Sequence, residues 1–314
     1  MARFLTVRIG LLLISLVGAS LLVFTVLAVL PGSPAQVILG TQATPASVRQ
    51  LTIQLGLDKP LWQQYLQWVG GLASARLGSS YISHQPIGAQ LVQALQVTGP
   101  LVLLSLVVGV VVAVPAGMVG ALRHGRLAGT VIGVLSQIGV AIPTFVGGIV
   151  LIILVAVKAH LLPSGGFPGW AEPGQSLRSL VLPAITLGLV EGAILTRYIR
   201  TAVMEVLASD YLRTARAKGL SLGKAMRRHG LRNVLPPIVT VLGLEFAGLI
   251  IGAIVVENVF TLPGIGTLLL SAVQNRDLIV VEDIVMLVSG VVMLVNLLVD
   301  LSYRFLDPRM VRRT

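Results

Sequence analysis

The residues whose side chains most clearly suggest binding chemistry form a basic stretch in the second half of the chain. Nine of the chain's 23 Lys and Arg fall between residues 197 and 232. Residues 213–218 have the composition of a short helix that ends at Gly219, which can take the left-handed conformation that closes a helix. Ser221 then offers an N-cap oxygen to a second short helix over residues 222–229. The pattern predicts a compact helical loop whose cations bind an acidic surface without covalent chemistry.

Small and charged residues alternate along the first half of this loop. Ala215 and Ala217 would let the helix approach a partner surface closely, and the cations between them would meet an acidic rim. Composition alone leaves a second interpretation open, in which the loop is solvated and touches lipid headgroups.

The other reactive residues predict no catalytic or metal centre. Residues 219–225, GLSLGKA, have three residues between their glycines where a phosphate-binding loop needs four, and Ala225 stands where Ser or Thr would hold magnesium. The four histidines are scattered without a His-Glu-x-x-His pattern, and cysteine is absent. We therefore expect no catalytic residue, no metal site and no cofactor in this chain.

The composition places the basic loop on a membrane protein. Of the 314 residues, 55% are hydrophobic and 11% are charged, whereas charged residues make up about a quarter of a soluble domain. Charge-poor segments of roughly 20 residues, enough to cross a bilayer, occur at 9–30, 99–122, 131–157, 179–196, 237–256 and 284–302. The predicted fold class is an all-α integral membrane protein with about six transmembrane helices.

The distribution of cations predicts the orientation. With a cytoplasmic N-terminus, the inside segments hold the basic loop and most other Lys and Arg, which favours N-in and C-in. Cations near an anionic leaflet each gain about 1 kcal/mol, so the net charge of +11 requires no nucleic-acid partner. The topology predicts three parts. They are 1–98, the first helix plus an extracytoplasmic segment; 99–303, a five-helix core with the cytoplasmic loop 197–236; and 304–314, a cytoplasmic tail.

The extracytoplasmic segment contains a predicted helix. Residues 58–60, Asp-Lys-Pro, are typical of a helix start. Apolar side chains then recur at helical spacing and predict a face that packs on the membrane interface or on neighbouring helices: Trp62, Tyr65, Leu66 and Val69.

Two glutamates fall inside predicted spans, where a charge at the bilayer centre costs about 2.5–3.5 kcal/mol. Glu245 lies near the middle of the fifth span, and we expect it either to line a water-filled path or to make a structural hydrogen bond to a partner subunit. Glu191, in the fourth span, is expected either to pair with Arg197 or another neighbour or to line the same path. Gly248 and Gly252 have the spacing that lets helices pack closely, which predicts an interface with a second membrane subunit.

Four segments resemble the ABC-importer permeases, and within them the oligopeptide, dipeptide and nickel branch, on the side of the first of its two paired permeases. The segments are LGLDKPLWQQYLQW (55–68), DYLRTARAKGLSLGKAMRRHGLRN (210–233), VVENVFTLPGIGTLLL (255–270) and VDLSYRFLDPR (299–309). The resemblance runs nearly end to end and implies the type I importer permease fold.

The resemblance implies that the basic loop is the coupling helix, which sits in a groove on an ATPase subunit. The residues implied to couple are Arg213, Thr214, Ala215, Arg216, Ala217, Lys218, Gly219 and Leu220. The wider family has Glu-Ala-Ala, three residues, then Gly, and this chain keeps Ala215 and Gly219 at the matching positions. A departure follows residues 276–277, where the branch has a proline and then Gln-Gly, and this chain has Ile279, Glu282 and Asp283.

The resemblance also implies the partners and the location. They are a second homologous permease, two cytoplasmic ATPases that hold ATP and magnesium, and an extracytoplasmic solute-binding protein, in the cytoplasmic membrane of a bacterium or archaeon. The implied solutes are dipeptides, oligopeptides, glutathione-like compounds or nickel chelates. The alternative is an ion-coupled secondary transporter, for which Glu245 would be the midplane acid. A membrane scaffold would explain the spans but not the glycine-broken loop.

Overall fold

The computed structural model of the chain describes residues 2–29 and 32–306, and these residues form thirteen α-helices. The first six are α1 (Ala2–Val29), α2 (Pro34–Leu39), α3 (Pro45–Gln54), α4 (Leu61–Ala73), α5 (Ile87–Leu122) and α6 (Leu127–Ala141). The others are α7 (Thr144–Leu151), α8 (Pro173–Ala208), α9 (Asp210–Ala217), α10 (Leu222–Ala225), α11 (Leu231–Val259), α12 (Ile265–Gln274) and α13 (Leu278–Leu306). A 3₁₀ turn covers Gly40–Gln42, and π-helical segments cover Ile152–Lys158 and Met226–Gly230.

Five helical stretches of the described residues are long and apolar enough to cross a membrane. They are Thr6–Val29, Ile87–Leu122, Pro173–Ala208, Leu222–Val259 and Leu278–Ser302. Because an α-helix satisfies its backbone hydrogen bonds within the segment, it can lie in lipid without partners for its peptide groups. The predicted all-α membrane fold is confirmed. Leu30, the predicted end of the first span, and residues 307–314 of the predicted tail lie outside the described residues.

The third predicted span, 131–157, is not one helix, and that prediction was wrong. It divides into Leu127–Ala141 and Thr144–Lys158, whose axes differ by 100°. Pro143 has no N–H to donate and disfavours the helical conformation of the residue before it. Accordingly Ile142 is extended, with φ −78° and ψ 120°. The chain has a sixth span if this bent pair counts as one crossing.

The fourth predicted span, 179–196, is the middle of a much longer helix. α8 has 36 residues, which corresponds to about 54 Å at 1.5 Å per residue, whereas the hydrocarbon core is about 30 Å thick. The predicted span was shorter than the helix because Arg178 and Arg197 flank its apolar part. One or both ends of α8 therefore extend past the apolar layer.

The chain forms two compact units, Met1–Thr98 with Pro263–Leu294 and Gly99–Leu262 with Val295–Thr314. The predicted division into 1–98, 99–303 and 304–314 follows membrane topology rather than contacts, and it stays a prediction.

In the unit that contains Gly99–Leu262, α8 packs against α6, α7 and α11. A glycine allows α5 to approach α8 closely. A Cβ atom on Gly188 would lie 2.7 Å from the carbonyl oxygen of Ser105 and 2.7 Å from the Cβ of Val108. Close backbone approach at small residues is a common way for helices to associate in lipid.

In the other unit, α4 packs on α1 through aromatic side chains. The rings of Phe24 and Trp68 stack with centroids 6.2 Å apart, and Tyr65 meets Phe24 edge to face at 5.4 Å. The predicted apolar face of this helix is therefore only partly packed against other helices. Tyr65 lies against α1, but Trp62 and Leu66 are exposed, and Trp68, absent from the predicted face, is buried.

We predict that Gly188→Ala lowers the thermal unfolding midpoint of the purified chain in detergent. The added methyl has no room between α5 and α8, and overpacking of this kind costs about 1–3 kcal/mol. The matched control is Gly174→Ala in the same helix, where a Cβ would meet nothing within 4 Å. Equal midpoints for the two variants would show that α5 and α8 are not in tight contact.

Candidate docking loop and membrane acids

The basic loop closes its first helix as the sequence predicted. α9 ends at Ala217, and Gly219 follows with φ +87°. The Gly219 N–H donates to the Arg216 carbonyl at 2.9 Å and the Leu220 N–H donates to the Ala215 carbonyl at 3.3 Å. This pair of bonds is the Schellman pattern, which satisfies carbonyls at the end of a helix and requires a left-handed residue. The corner is therefore a defined turn rather than a flexible link.

The second half of the loop differs from the prediction in two ways. Ser221 occupies the N-cap position with an extended backbone, but its side chain makes no capping hydrogen bond; its carbonyl accepts from the Ala225 N–H at 2.9 Å instead. The predicted helix over 222–229 also does not stop there. α10 continues through the π-helical segment Met226–Gly230 directly into α11. The loop is thus covalently continuous with a membrane helix.

One face of α9 is anchored in the core of its own unit. Leu212 and Ala215 are 1% and 8% exposed. They belong to the same buried cluster as Ile199, Val203 and Val206 of α8. The Ala215 side chain faces this cluster, and the prediction that Ala215 and Ala217 let α9 approach a partner closely stays a prediction. The spacing of the two residues, three apart on a polar helix, was the signal for this face.

The second half of the loop is anchored in the same cluster. Ala225 is fully buried and Met226 is 7% exposed, and both pack with Val234 of α11. The sequence pattern did not single out these two residues, since they form only a two-residue apolar pair between Lys224 and Arg227.

The outer face of the loop carries the charges. The exposed members of the predicted coupling set are Arg213, Thr214, Arg216, Ala217, Lys218 and Gly219, and Leu220 is half-buried. Three further exposed cations, Lys224, Arg227 and Arg228, extend the basic surface. The Arg213 guanidinium lies 3.8 Å from the Asp210 carboxylate, but an exposed pair of this kind holds its partners only weakly. This surface can therefore bind an acidic groove by charge and shape.

The structure brings Glu191 and Glu245 into electrostatic contact, which the sequence did not predict. Glu191 on α8 is 4% exposed, and its Oε1 has no hydrogen-bond partner. Its Cγ would lie 3.1 Å from a Cβ atom on Gly109 of α5. Glu245 on α11 is half-buried, and the two carboxyl groups are near enough for their charges to interact. Of the two acids, Glu245 is the one whose side chain is accessible to a cationic group.

The two predicted interface glycines have different surroundings. A Cβ atom on Gly252 would lie 2.6 Å from the Cδ1 of Leu187, so Gly252 allows contact between α11 and α8 within the chain. Gly248 is exposed, and a Cβ atom there would lie 3.6 Å from Glu245 Oε2. The predicted contact of these glycines with a second subunit stays a prediction.

Two family models together match nearly the whole chain. One, described as "Binding-protein-dependent transport system inner membrane component", matches residues 113–312. The other, described as "Binding-prot-dependent transport system membrane comp, N-term", matches residues 1–102. The first of these matches includes the entire basic loop.

Curated relatives are similar over nearly their full length. The chain is 36% identical over 335 aligned positions to the dipeptide transport system permease protein DppB of Escherichia coli (strain K12), covering 98% of each chain. It is also 36% identical over 331 positions to the di/tripeptide transport system permease protein DppB of Pseudomonas aeruginosa (strain UCBPP-PA14), again covering 98% of each. The glutathione transport system permease protein GsiC of Escherichia coli O6:H1 is 35% identical over 289 positions, covering 92% of each.

Solved structures share the fold. A chain of the MetNI methionine ABC transporter in an inward-facing conformation matches with a TM-score of 0.60 and 17% identity, covering 71% of this chain and 99% of that one. A chain of an amino acid ABC transporter matches with a TM-score of 0.52 and 17% identity, covering 69% of this chain and 94% of that one. None of these similarities supports the ion-coupled alternative.

Proposed function

Since the chain belongs to the family of binding-protein-dependent transport system inner membrane components, we propose that it forms half of the membrane path of an ATP-driven importer of short peptides. The chain is a multi-pass permease subunit of the inner membrane. The observation that supports a peptide solute is the similarity to dipeptide and di/tripeptide permeases over 98% of the chain.

The basic loop is the element proposed to couple ATP hydrolysis in the ATPase subunits to movement of the membrane helices. Leu212 and Ala215 fasten α9 to the end of α8, and the α10 side of the loop continues into α11. A force applied to the outer face of the loop therefore acts on two long helices at once. Since packed helices move as bodies rather than bending residue by residue, this arrangement converts docking at the loop into a change of the membrane path.

The remaining machinery is proposed to reside in other subunits. Two ATPases would bind ATP and magnesium, with the exposed loop cations against their acidic rim. A second, homologous permease would complete the path, and an extracytoplasmic binding protein would deliver the solute. This chain would carry no ATPase site of its own, because its nearest phosphate-loop pattern, residues 219–225, lacks the required spacing and the magnesium-binding hydroxyl.

Glu191 and Glu245 are proposed to line the path. They lie on α8 and α11, the same two helices that the loop connects. A peptide carries an N-terminal ammonium, and a half-buried carboxylate can attract it. Movement of the loop would thus alter the surroundings of the acids that face the solute.

The assembly is tested by purifying the tagged chain from its native membrane in mild detergent and identifying the accompanying proteins by mass spectrometry. We expect a second permease and proteins that carry a Gly-x-x-x-x-Gly-Lys-Ser/Thr loop. Recovery of the chain alone, under conditions in which a known ABC importer of the same membrane stays intact, would contradict the proposal.

We predict that Gly219→Val uncouples the transporter. A β-branched residue in the left-handed conformation costs about 1–2 kcal/mol, which reduces the population of the closed corner roughly 5- to 30-fold. In proteoliposomes, solute-stimulated ATP hydrolysis should fall by a similar factor while the complex still assembles. The control is Gly223→Val, at a helical position where a Cβ meets nothing within 4 Å. Unchanged stimulation in Gly219→Val would refute the coupling role.

We predict that Glu245→Gln slows uptake of a dipeptide such as Ala-Ala into proteoliposomes by about tenfold. The reason is that a hydrogen bond to a charged group is worth about 1.5–3 kcal/mol. The control is Glu205→Gln, an exposed acid near the C-terminal end of α8. If Glu245 instead makes a structural contact, Glu245→Gln would lower the thermal midpoint of the complex or its yield, and uptake per intact complex would be unchanged.

A further inference from the structure

A cavity of about 480 Å³ lies inside the unit formed by Met1–Thr98 and Pro263–Leu294. The C-terminal end of α1, the helix α4, residues 76–81 and the first turn of α13 supply most of its wall. The predicted topology places this cavity at the extracytoplasmic side. Its volume falls in the range of about 300–1,000 Å³ that is typical of small-molecule sites.

Two adjacent acids of α13 line the cavity, and neither has a cationic partner among the described residues. Glu282 and Asp283 are 9% and 2% exposed. Asp283 Oδ1 accepts a hydrogen bond from Trp68 Nε1 at 2.8 Å, but its Oδ2 is buried without a partner. Among the residues that the structure describes, Glu282 has no side-chain hydrogen bond and no ion pair. Burying an unpaired carboxylate costs several kcal/mol, so a cation that enters the cavity would stabilise the ionised form of these acids.

The neighbouring cations form no ion pair with these acids among the described residues, although the Arg276 guanidinium lies beside Gly32 of the cavity wall. Arg76 lines the cavity but is exposed, and in the described part of the chain it forms no ion pair with either acid. Lys59 donates to Gln67 Oε1 at 3.3 Å instead. The third acid nearby, Asp277, is already satisfied, because its carboxylate accepts from Ser80 Oγ and, at 3.2 Å, from the Tyr81 N–H.

Aromatic rings form the rest of the binding surface. Phe24 and Trp68 stack in the wall, and Tyr81 also lines the cavity. Burial, followed by the negative charges of Glu282, Asp277 and Asp283, raises the pKa of Tyr81 to about 12. The phenol therefore stays neutral at physiological pH and experiences a negative field. Rings beside a carboxylate suit a cation with an apolar stem, because the ring faces attract positive charge.

We propose that this cavity binds a guanidinium or alkylammonium group, with Glu282 as its counter-ion and the rings of Phe24 and Trp68 along its apolar stem. The donor set favours an organic cation over a bound metal ion, since the described residues contain no group of three or more His, Cys, Asp or Glu side chains that could hold a metal. The cation is either a free solute on the extracytoplasmic side or a Lys or Arg side chain of a docking protein. The proposal does not depend on which solute the chain transports.

The test uses the full-length chain, purified with its accompanying subunits, and n-butylguanidinium as the probe. Binding is followed by tryptophan fluorescence, because Trp68 lies in the cavity wall. We expect a saturable change with butylguanidinium and none with n-butylurea, which has the same shape and no charge. Glu282→Gln should weaken the affinity about tenfold or more, whereas Asp58→Asn, an exposed acid of the same extracytoplasmic segment, should leave it unchanged.

Thermal unfolding provides a second readout that does not depend on fluorescence. Butylguanidinium should raise the midpoint of the natural chain and leave that of Glu282→Gln unchanged. Without the probe, Glu282→Gln should unfold at the same temperature as the natural chain or higher, because it removes a buried unpaired charge. Equal binding of butylurea, or equal affinity of the natural chain and Glu282→Gln for butylguanidinium, would overturn the proposal.

The source of the cation is assigned by adding the extracytoplasmic binding protein to the assembled transporter. If butylguanidinium displaces that protein and Glu282→Gln weakens its association, the occupant is a side chain of the protein. If the protein and the probe bind independently, the occupant is a free solute.

Discussion

The burial of Leu212 and Ala215 against α8 is the contact on which the proposed coupling role of the basic loop depends. Without this contact, the cations of α9 would lie on a flexible segment that does not transmit movement to the membrane helices. With it, α9 is held to α8 on one side and joined through α10 to α11 on the other. The Gly219 corner fixes the angle between these two attachments. A surface that docks by charge can then transmit force, because its inner side belongs to the same core as the membrane helices.

Hydropathy predicted most of the fold because lipid leaves the chain few alternatives. A segment in the hydrocarbon layer has no water to bind its peptide N–H and C=O groups, so it must form these hydrogen bonds within itself. An apolar run of sufficient length is therefore a helix. The prediction failed where a different rule decided the structure. Pro143 broke the third span by removing a hydrogen bond within an apolar run that hydropathy treats as uniform. At α8 the helix continued past flanking arginines, since helices do not end where the apolar layer ends.

The candidate site was predictable where it depends on local conformation and not where it depends on tertiary contacts. Gly219 could be placed in the left-handed region because a helix followed by glycine has one common way to end. The inward direction of Ala215 had one signal in the sequence, its three-residue spacing from Leu212. The proximity of Glu191 to Glu245 could not be predicted, because it depends on which helices are neighbours.

Acids within this chain differ in how fully they are satisfied, and the difference separates structural groups from candidate sites. Asp277 accepts two hydrogen bonds and closes a turn around Ser80, so its burial is accounted for by the fold. Glu282 and one oxygen of Asp283 are also buried but have no such partners. Such groups are available to a cation that enters the cavity, because an opposite charge stabilises the ionised form of a buried acid. The contrast with Asp277 is therefore the basis of the proposal that this cavity binds a cationic group.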